Sequence, residues 1–186
     1  MFYVLAKSPY QKFADLKGKN LGLVDPNSTS GNNVPRFVLN QEGINPNNFF
    51  SKVQYTGSHE NGIFALAQGT VDVAVNWWSS PSDSNLTRML NKNMLKNPDG
   101  SEMTKDDFRI ILRSPMIINS PTAYLSSLPE NLKAAIRTAF FDAATNDKEA
   151  FDKLSDGKNR PYAPIENKDY DTTVELIKFV DSLKKS

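Results

Sequence analysis

An α/β fold with a mainly parallel sheet is predicted by three observations. Short apolar strands alternate with amphipathic helical stretches through residues 1 to 112. Glycines stand just past the helical patterns, at Gly18, Gly43 and Gly69, where helix stops belong. The turn Asp25-Pro26-Asn27-Ser28-Thr29-Ser30-Gly31 joins an apolar strand directly to a helix start. In such sheets ligands bind outside the carboxyl ends of the strands, beside the following helices.

The chain opens with Met1-Phe2-Tyr3-Val4-Leu5-Ala6, read as a strand, and Gln11 to Leu16 reads as a short helix ended by Gly18. Leu21 to Val24 is a brief strand. Val34, Phe37 and Val38 repeat at i, i+3, i+4, so residues 30 to 42 form a helix with one buried face, and Pro35 sits in its first turn, where a lost donor costs least. Val53 to Tyr55 is a strand leading through Gly57-Ser58-His59 into a helix with Ile63, Phe64 and Ala67. Val71 to Val75 and Phe108 to Leu112 are further strands. Between them Leu86, Met89, Leu90 and Met94 mark a helix, and Asn97 to Gly100 a turn. Ser114 to Pro121 carries two prolines around an apolar centre and reads as an extended crossing segment. Helices follow: one with Pro129 as its first residue and Leu132, Ile136, Ala139 and Phe140 on one side, a short one over 147 to 154, and a last over 172 to 184 with Val174, Ile177 and Val180 buried. Residues 156 to 168 form a polar loop.

Composition narrows the function. The 186 residues are enough for one or two compact domains, and 39% hydrophobic with 23% charged residues is a globular balance. The net charge is +1 and no dense Lys/Arg cluster stands out, so a nucleic-acid partner has little electrostatic support. There are no cysteines, which excludes a disulfide scaffold and a thiolate zinc site. No apolar run approaches the roughly 18 residues of a membrane span. No secretory signal is visible at the start, as expected of a mature domain or of a chain lacking an N-terminal part.

The hydroxyl-rich turn carries the chemistry. A helix start leaves about four backbone N–H groups unpaired and bears roughly half a positive charge, so a tetrahedral oxyanion finds donors already aimed at it. Ser28, Thr29 and Ser30 add hydroxyls, and Gly31 lets backbone approach. Ser, Thr, Asp and Asn also favour ordinary helix caps, so the composition fits both readings. His59, the single histidine, stands at the second helix start and can complete an anion shell or be merely structural. One histidine without cysteine argues against zinc, and neither metal nor cofactor is expected. The strained Gly-x-Ser-x-Gly turn of a serine hydrolase and the lysine-bearing phosphate loop of nucleotide enzymes are both missing. Asn76-Trp77-Trp78 ends a strand and either walls a pocket or packs in a core or hinge.

Together these residues make the chain resemble the solute-binding proteins of phosphonate ABC transporters. The resemblance rests on Asp25 to Gly31, on Gly57-Ser58-His59-Glu60, on Val71 to Asn76 and on Arg113-Ser114-Pro115, in the family's order and approximate spacing. It implies a type II periplasmic binding protein fold of two lobes closing on a ligand by hinge motion. Residues 1 to 11 would be an inter-lobe crossing strand, 12 to 113 the complete ligand-binding lobe, and 114 to 186 the return crossing and C-terminal helices of the other lobe. A further N-terminal part would supply tyrosine contacts. Ser28, Thr29, Ser30 and His59 would bind the phosphonate oxygens, with Gly31, Asn76, Ser79 and Ser120 lining the site.

Ser79 and Ser120 stand where members that bind aminoethylphosphonate carry carboxylates, and a buried ammonium needs such partners. The resemblance therefore implies an unaminated phosphonate such as methylphosphonate, or phosphite or phosphate, unless Asp83 serves as a displaced carboxylate. It also implies a permease partner, a periplasmic or other extracytoplasmic place and no catalysis. Two rivals stay open: a Ser30/His59 hydrolase of small esters, and a sensing domain of the same fold. A dimer formed by segment exchange is a further expectation, since a free sheet edge invites pairing.

Overall fold

The computed structural model describes residues 1–119, 121–155 and 161–183. They fall into two compact units, Met1–Ile117 with the chain from Thr173 onward, and Ile118–Thr172.

The first unit is built on a sheet in the order β3-β2-β4-β1-β7, where β1 is Phe2–Leu5, β2 Asn20–Leu23, β3 Lys52–Tyr55, β4 Val73–Val75 and β7 Phe108–Leu112. Strand β2 pairs in parallel with β3 and β4, in register Leu23 with Tyr55 and Leu21 with Val73. Strand β1 runs antiparallel to both β4 and β7, so it is the one reversed strand. Side chains alternate across the pleat. Phe2, Val4, Val73 and Val75 face one core with Leu21, Leu23 and Leu39. Tyr3 and Ala74 face the other with Ile63, Leu66, Leu86 and Met89.

Helices cover both faces. Helix α1 (Val34–Gln41) follows β2, the short α2 (Pro46–Phe49) precedes β3, and α3 (His59–Ala67) links β3 to β4. Gly43 and Gly69 adopt positive φ at the helix ends, as their positions predict. A small ribbon of β5 (Trp78–Ser80) and β6 (Asp83–Ser84) leads into α4 (Asn85–Asn91). The ribbon and α2 are absent from the sequence reading, being too short to leave a period.

Several expectations need correction. Met94 lies beyond α4 and is exposed, because the helix ends at Asn91 and Asn93 turns at φ 52°. In α7 (Asp171–Leu183), Val174 and Ile177 are 45% and 55% exposed. Val180 does pack on Val34, Phe37 and Val38 of α1, but with Leu176 and Phe179 as its companions. Two overlapping i, i+3 sets run along this helix, and the one centred on Leu176 meets the partner face.

In the second unit α5 (Glu130–Asn146) is followed by α6 (Lys148–Ser155). Pro129 is the residue before α5 rather than its first, and Leu132, Ile136, Ala139 and Phe140 are not buried. Tyr162 stands edge-on to Phe140 and Phe151, at 5.0 and 6.1 Å between ring centres. No helix among the described residues is long and apolar enough to cross a membrane.

Candidate functional site

Strand pairing brings the two helix starts together. Beyond the last β2–β3 pair, the Thr56 amide donates to Leu23 O and the Gly57 amide to Val24 O, both at 2.8 Å. Gly57, at φ 85°, then turns the chain in a conformation that L side chains avoid. Ser58 caps α3 by accepting from the Asn61 amide. His59 thus enters beside the turn that follows β2.

That turn is a wide one. Ser28 caps a π-helical turn over Thr29–Asn33 that continues into α1, its Oγ accepting from the Gly31 amide at 3.0 Å. Ser28 O accepts from both Asn32 and Asn33 amides at 3.0 Å. Turns of this kind cluster at functional sites. Gly31 is required by closeness rather than by φ: a Cβ there would lie 2.4 Å from Val24 Cβ and 2.8 Å from Ser28 Oγ. Among the described residues nothing accepts from the Thr29 and Ser30 amides. They are the unpaired donors of the helix start.

Ser30 Oγ lies 3.2 Å from His59 Nε2. Burial lowers the imidazole's pKa from its ordinary 6.5, the N-terminal ammonium adds to the depression, and Glu60 and the Asn76 side chain oppose it. The neutral ring is therefore favoured. With the proton on Nε2 the ring donates to Ser30 Oγ and leaves the Ser30 hydroxyl hydrogen for a ligand. Nδ1 is buried and has no hydrogen-bond partner among the described residues. It is the atom that the carboxylate of a Ser-His-Asp triad would hold.

The remaining predicted residues take different places. Thr29 is exposed on the turn. Asn76 is fully buried behind the site, donating from Nδ2 to His59 O at 2.7 Å and accepting on Oδ1 from the Trp77 amide. Its side chain supports the start of α3 instead of facing outward. Ser79 is exposed on the β5–β6 ribbon, and among the described residues no hydrogen bond ties it to the turn or to His59. Ser120 lies outside the described residues. Trp77 carries the Arg88 guanidinium 4.7 Å above its ring, and Arg88 also donates to Asp83 Oδ1 at 2.9 and 3.1 Å. Among the described residues no group of three His, Asp or Glu side chains is placed to hold a metal.

Sequence reasoning missed Asn32, a buried amide directly after the turn. Its burial has no signature in the pattern, because asparagine at a helix start usually reads as a cap.

The sequence profile described as "ABC transporter, phosphonate, periplasmic substrate-binding protein" matches residues 1–170. The chain belongs to this family. Its members, like the chain's structural neighbours, are periplasmic solute-binding proteins and not enzymes. The fold is that of a type II periplasmic binding protein, with its mostly parallel sheet flanked by helices.

Three solved structures illustrate the likeness. XAC2383 from Xanthomonas citri, bound to chloride ion, is 20% identical with a TM-score of 0.63, covering 99% of this chain and 65% of its own. A binding protein component of an ABC phosphonate transporter from Pseudomonas aeruginosa, PA3383, is 23% identical at 0.60, over 97% and 57%. PhnD1 from Prochlorococcus marinus (MIT 9301), in complex with methylphosphonate, is 17% identical at 0.57, over 97% and 65%. At these identities the likeness is one of fold, and the chain spans less than two thirds of these neighbours' length. No curated protein sequence matches the chain.

Proposed function

We propose that this chain captures an unaminated phosphonate-type oxyanion, such as methylphosphonate, phosphite or phosphate, for delivery to an ABC permease outside the cytoplasm. The observation that carries the reading is the 3.2 Å approach of Ser30 Oγ to His59 Nε2 beside the unpaired amides of Thr29 and Ser30. Hydroxyl, amide and neutral imidazole donors converge on one edge of the sheet. Donors of this kind recognise a tetrahedral anion by geometry as much as by charge.

The state of Asp83 and Ser79 supports the unaminated class. Asp83, the carboxylate that would be needed, accepts two bonds from Arg88 and has its charge compensated there. Ser79 has no charge to offer.

Isothermal calorimetry with methylphosphonate, aminoethylphosphonate, phosphite and phosphate tests the reading. Binding of the unaminated ligands ahead of aminoethylphosphonate is expected. His59→Ala should weaken that binding about tenfold or more, the worth of one hydrogen bond to a charged group. Equal affinity for the aminated ligand, or full affinity in the His59 variant, would refute it.

A further inference from the structure

We propose that Asn32 is a positioning residue that fixes the hydroxyl-rich turn against the end of β3 and so sets the Ser30–His59 spacing. The proposal rests on the oxyanion reading for its consequence in binding, though not for its geometry.

Asn32 is only 5% exposed, and every hydrogen-bonding position of its amide is used. Nδ2 donates to Pro26 O at 2.8 Å and to Asn33 Oδ1 at 3.0 Å. Oδ1 accepts from Arg36 Nε at 2.9 Å and from the Tyr55 hydroxyl at 3.2 Å. An amide has two N–H donors and two carbonyl lone pairs, so the side chain is saturated. The partners also fix which end is oxygen, since the Pro26 carbonyl can only accept and the Arg36 guanidinium can only donate.

These four bonds join three segments. Pro26 lies in the turn two residues before Ser28, Arg36 on α1, and Tyr55 at the end of β3, four residues before His59. Besides the bonds of Asn32, backbone bonds from Thr56 and Gly57 tie β3 to the end of β2, Arg36 Nη2 on α1 donates to the Tyr55 hydroxyl at 3.5 Å, and among the described residues Ser30 to His59 is the side-chain bond that joins the turn to the start of α3. Strand β3 is an edge strand, held from one side only. Asn32 is the strut between the two arms of the site. Aspartate cannot replace it: the shape and the Arg36 bond survive, but both N–H donors are lost and a carboxylate meets the Pro26 carbonyl.

The test uses the whole chain, with methylphosphonate and inorganic phosphate as probes, comparing wild type, Asn32→Asp and Tyr55→Phe. Asn32→Asp gains an ion pair with Arg36 but sets a buried carboxylate against the Pro26 carbonyl, so it is expected to melt below wild type and is compared at a temperature where both chains are folded. In the ligand-free protein its Thr29 and Ser30 amide shifts and the His59 ring 15N shifts should move, and affinity should fall about tenfold or more. Tyr55→Phe removes the bond that the hydroxyl donates to Asn32 Oδ1 and the longer one it accepts from Arg36, at a half-exposed ring, and should lower affinity two- to threefold, on the order of one neutral hydrogen bond. Unmoved His59 ring shifts together with wild-type affinity in Asn32→Asp would overturn the proposal. If Asn32→Asp fails to fold, Tyr55→Phe decides by the same two readouts. Were wild type to bind neither probe, the oxyanion reading would fall, while the ligand-free His59 shifts would still decide the role of Asn32.

Discussion

Two helix starts in this protein have almost the same composition and opposite character. At α4 the cap is Ser84, 2% exposed, whose Oγ accepts from the Thr87 amide and donates to Thr87 Oγ1 at 2.9 Å. Its hydroxyls turn inward and satisfy one another. At the turn after β2 the cap is Ser28, yet Thr29 is exposed, the Thr29 and Ser30 amides find no acceptor among the described residues, and a histidine from another element closes on the half-buried Ser30. Hydroxyl-rich sequence therefore does not distinguish a cap from a site. The donors left over, and what stands opposite them, do.

The largest expected break in this comparison is at Gly31. Alanine there would force a Cβ to 2.4 Å from two Val24 carbons, and backbone on both sides must shift. A loss of about 3 kcal/mol or more is expected from overpacking of this kind, measured by urea denaturation. It should remove binding and stability together.

Paired alanine variants at Ser84 and Ser30 sharpen the contrast. Ser84→Ala removes a cap and strands a buried partner, so stability should fall by about 1 to 2 kcal/mol with oxyanion affinity unchanged. Ser30→Ala should do the reverse, leaving stability within about 0.5 kcal/mol while affinity falls about tenfold. Denaturation and calorimetry on the same preparations check both.

The smallest effect is in pH. His59 has a folded pKa below its unfolded value of 6.5, so below that value the unfolded chain binds more protons than the folded one. The contribution of the neutral ring is fully present above about pH 6.5 and is lost as pH falls toward the folded pKa. His59→Gln should flatten this slope in thermal melts between about pH 5 and 7. Being half-buried, the ring gives a modest effect.

Much of the sheet was legible in the sequence because its burial is periodic and the partner faces lie close along the chain. Val71 to Val75 and Phe108 to Leu112 read as strands from apolar content alone. The exposed Val174 and Ile177 of α7 were not legible: periodicity predicts that a helix has a face, and only packing on α1 chooses between two overlapping faces. At the site, Ser28 to Gly31 and His59 were visible as residue types at helix starts. Asn32 was not, because its role comes from Pro26 and Tyr55, six residues before it and 23 after it. Asn76 was visible, but its bonds to His59 O and from the Trp77 amide were not, since end-of-strand position does not tell whether a side chain turns outward or under the next helix.

The most direct test of the central claim is an amide NMR titration of the whole chain with methylphosphonate, run in parallel on Ser30→Ala. Saturable shifts at Thr29, Ser30, Gly31 and His59, absent around Ser84 and abolished by Ser30→Ala, are the predicted result. Equal shifts at both helix starts, or none at the turn after β2, would contradict it and make the turn a cap like the other.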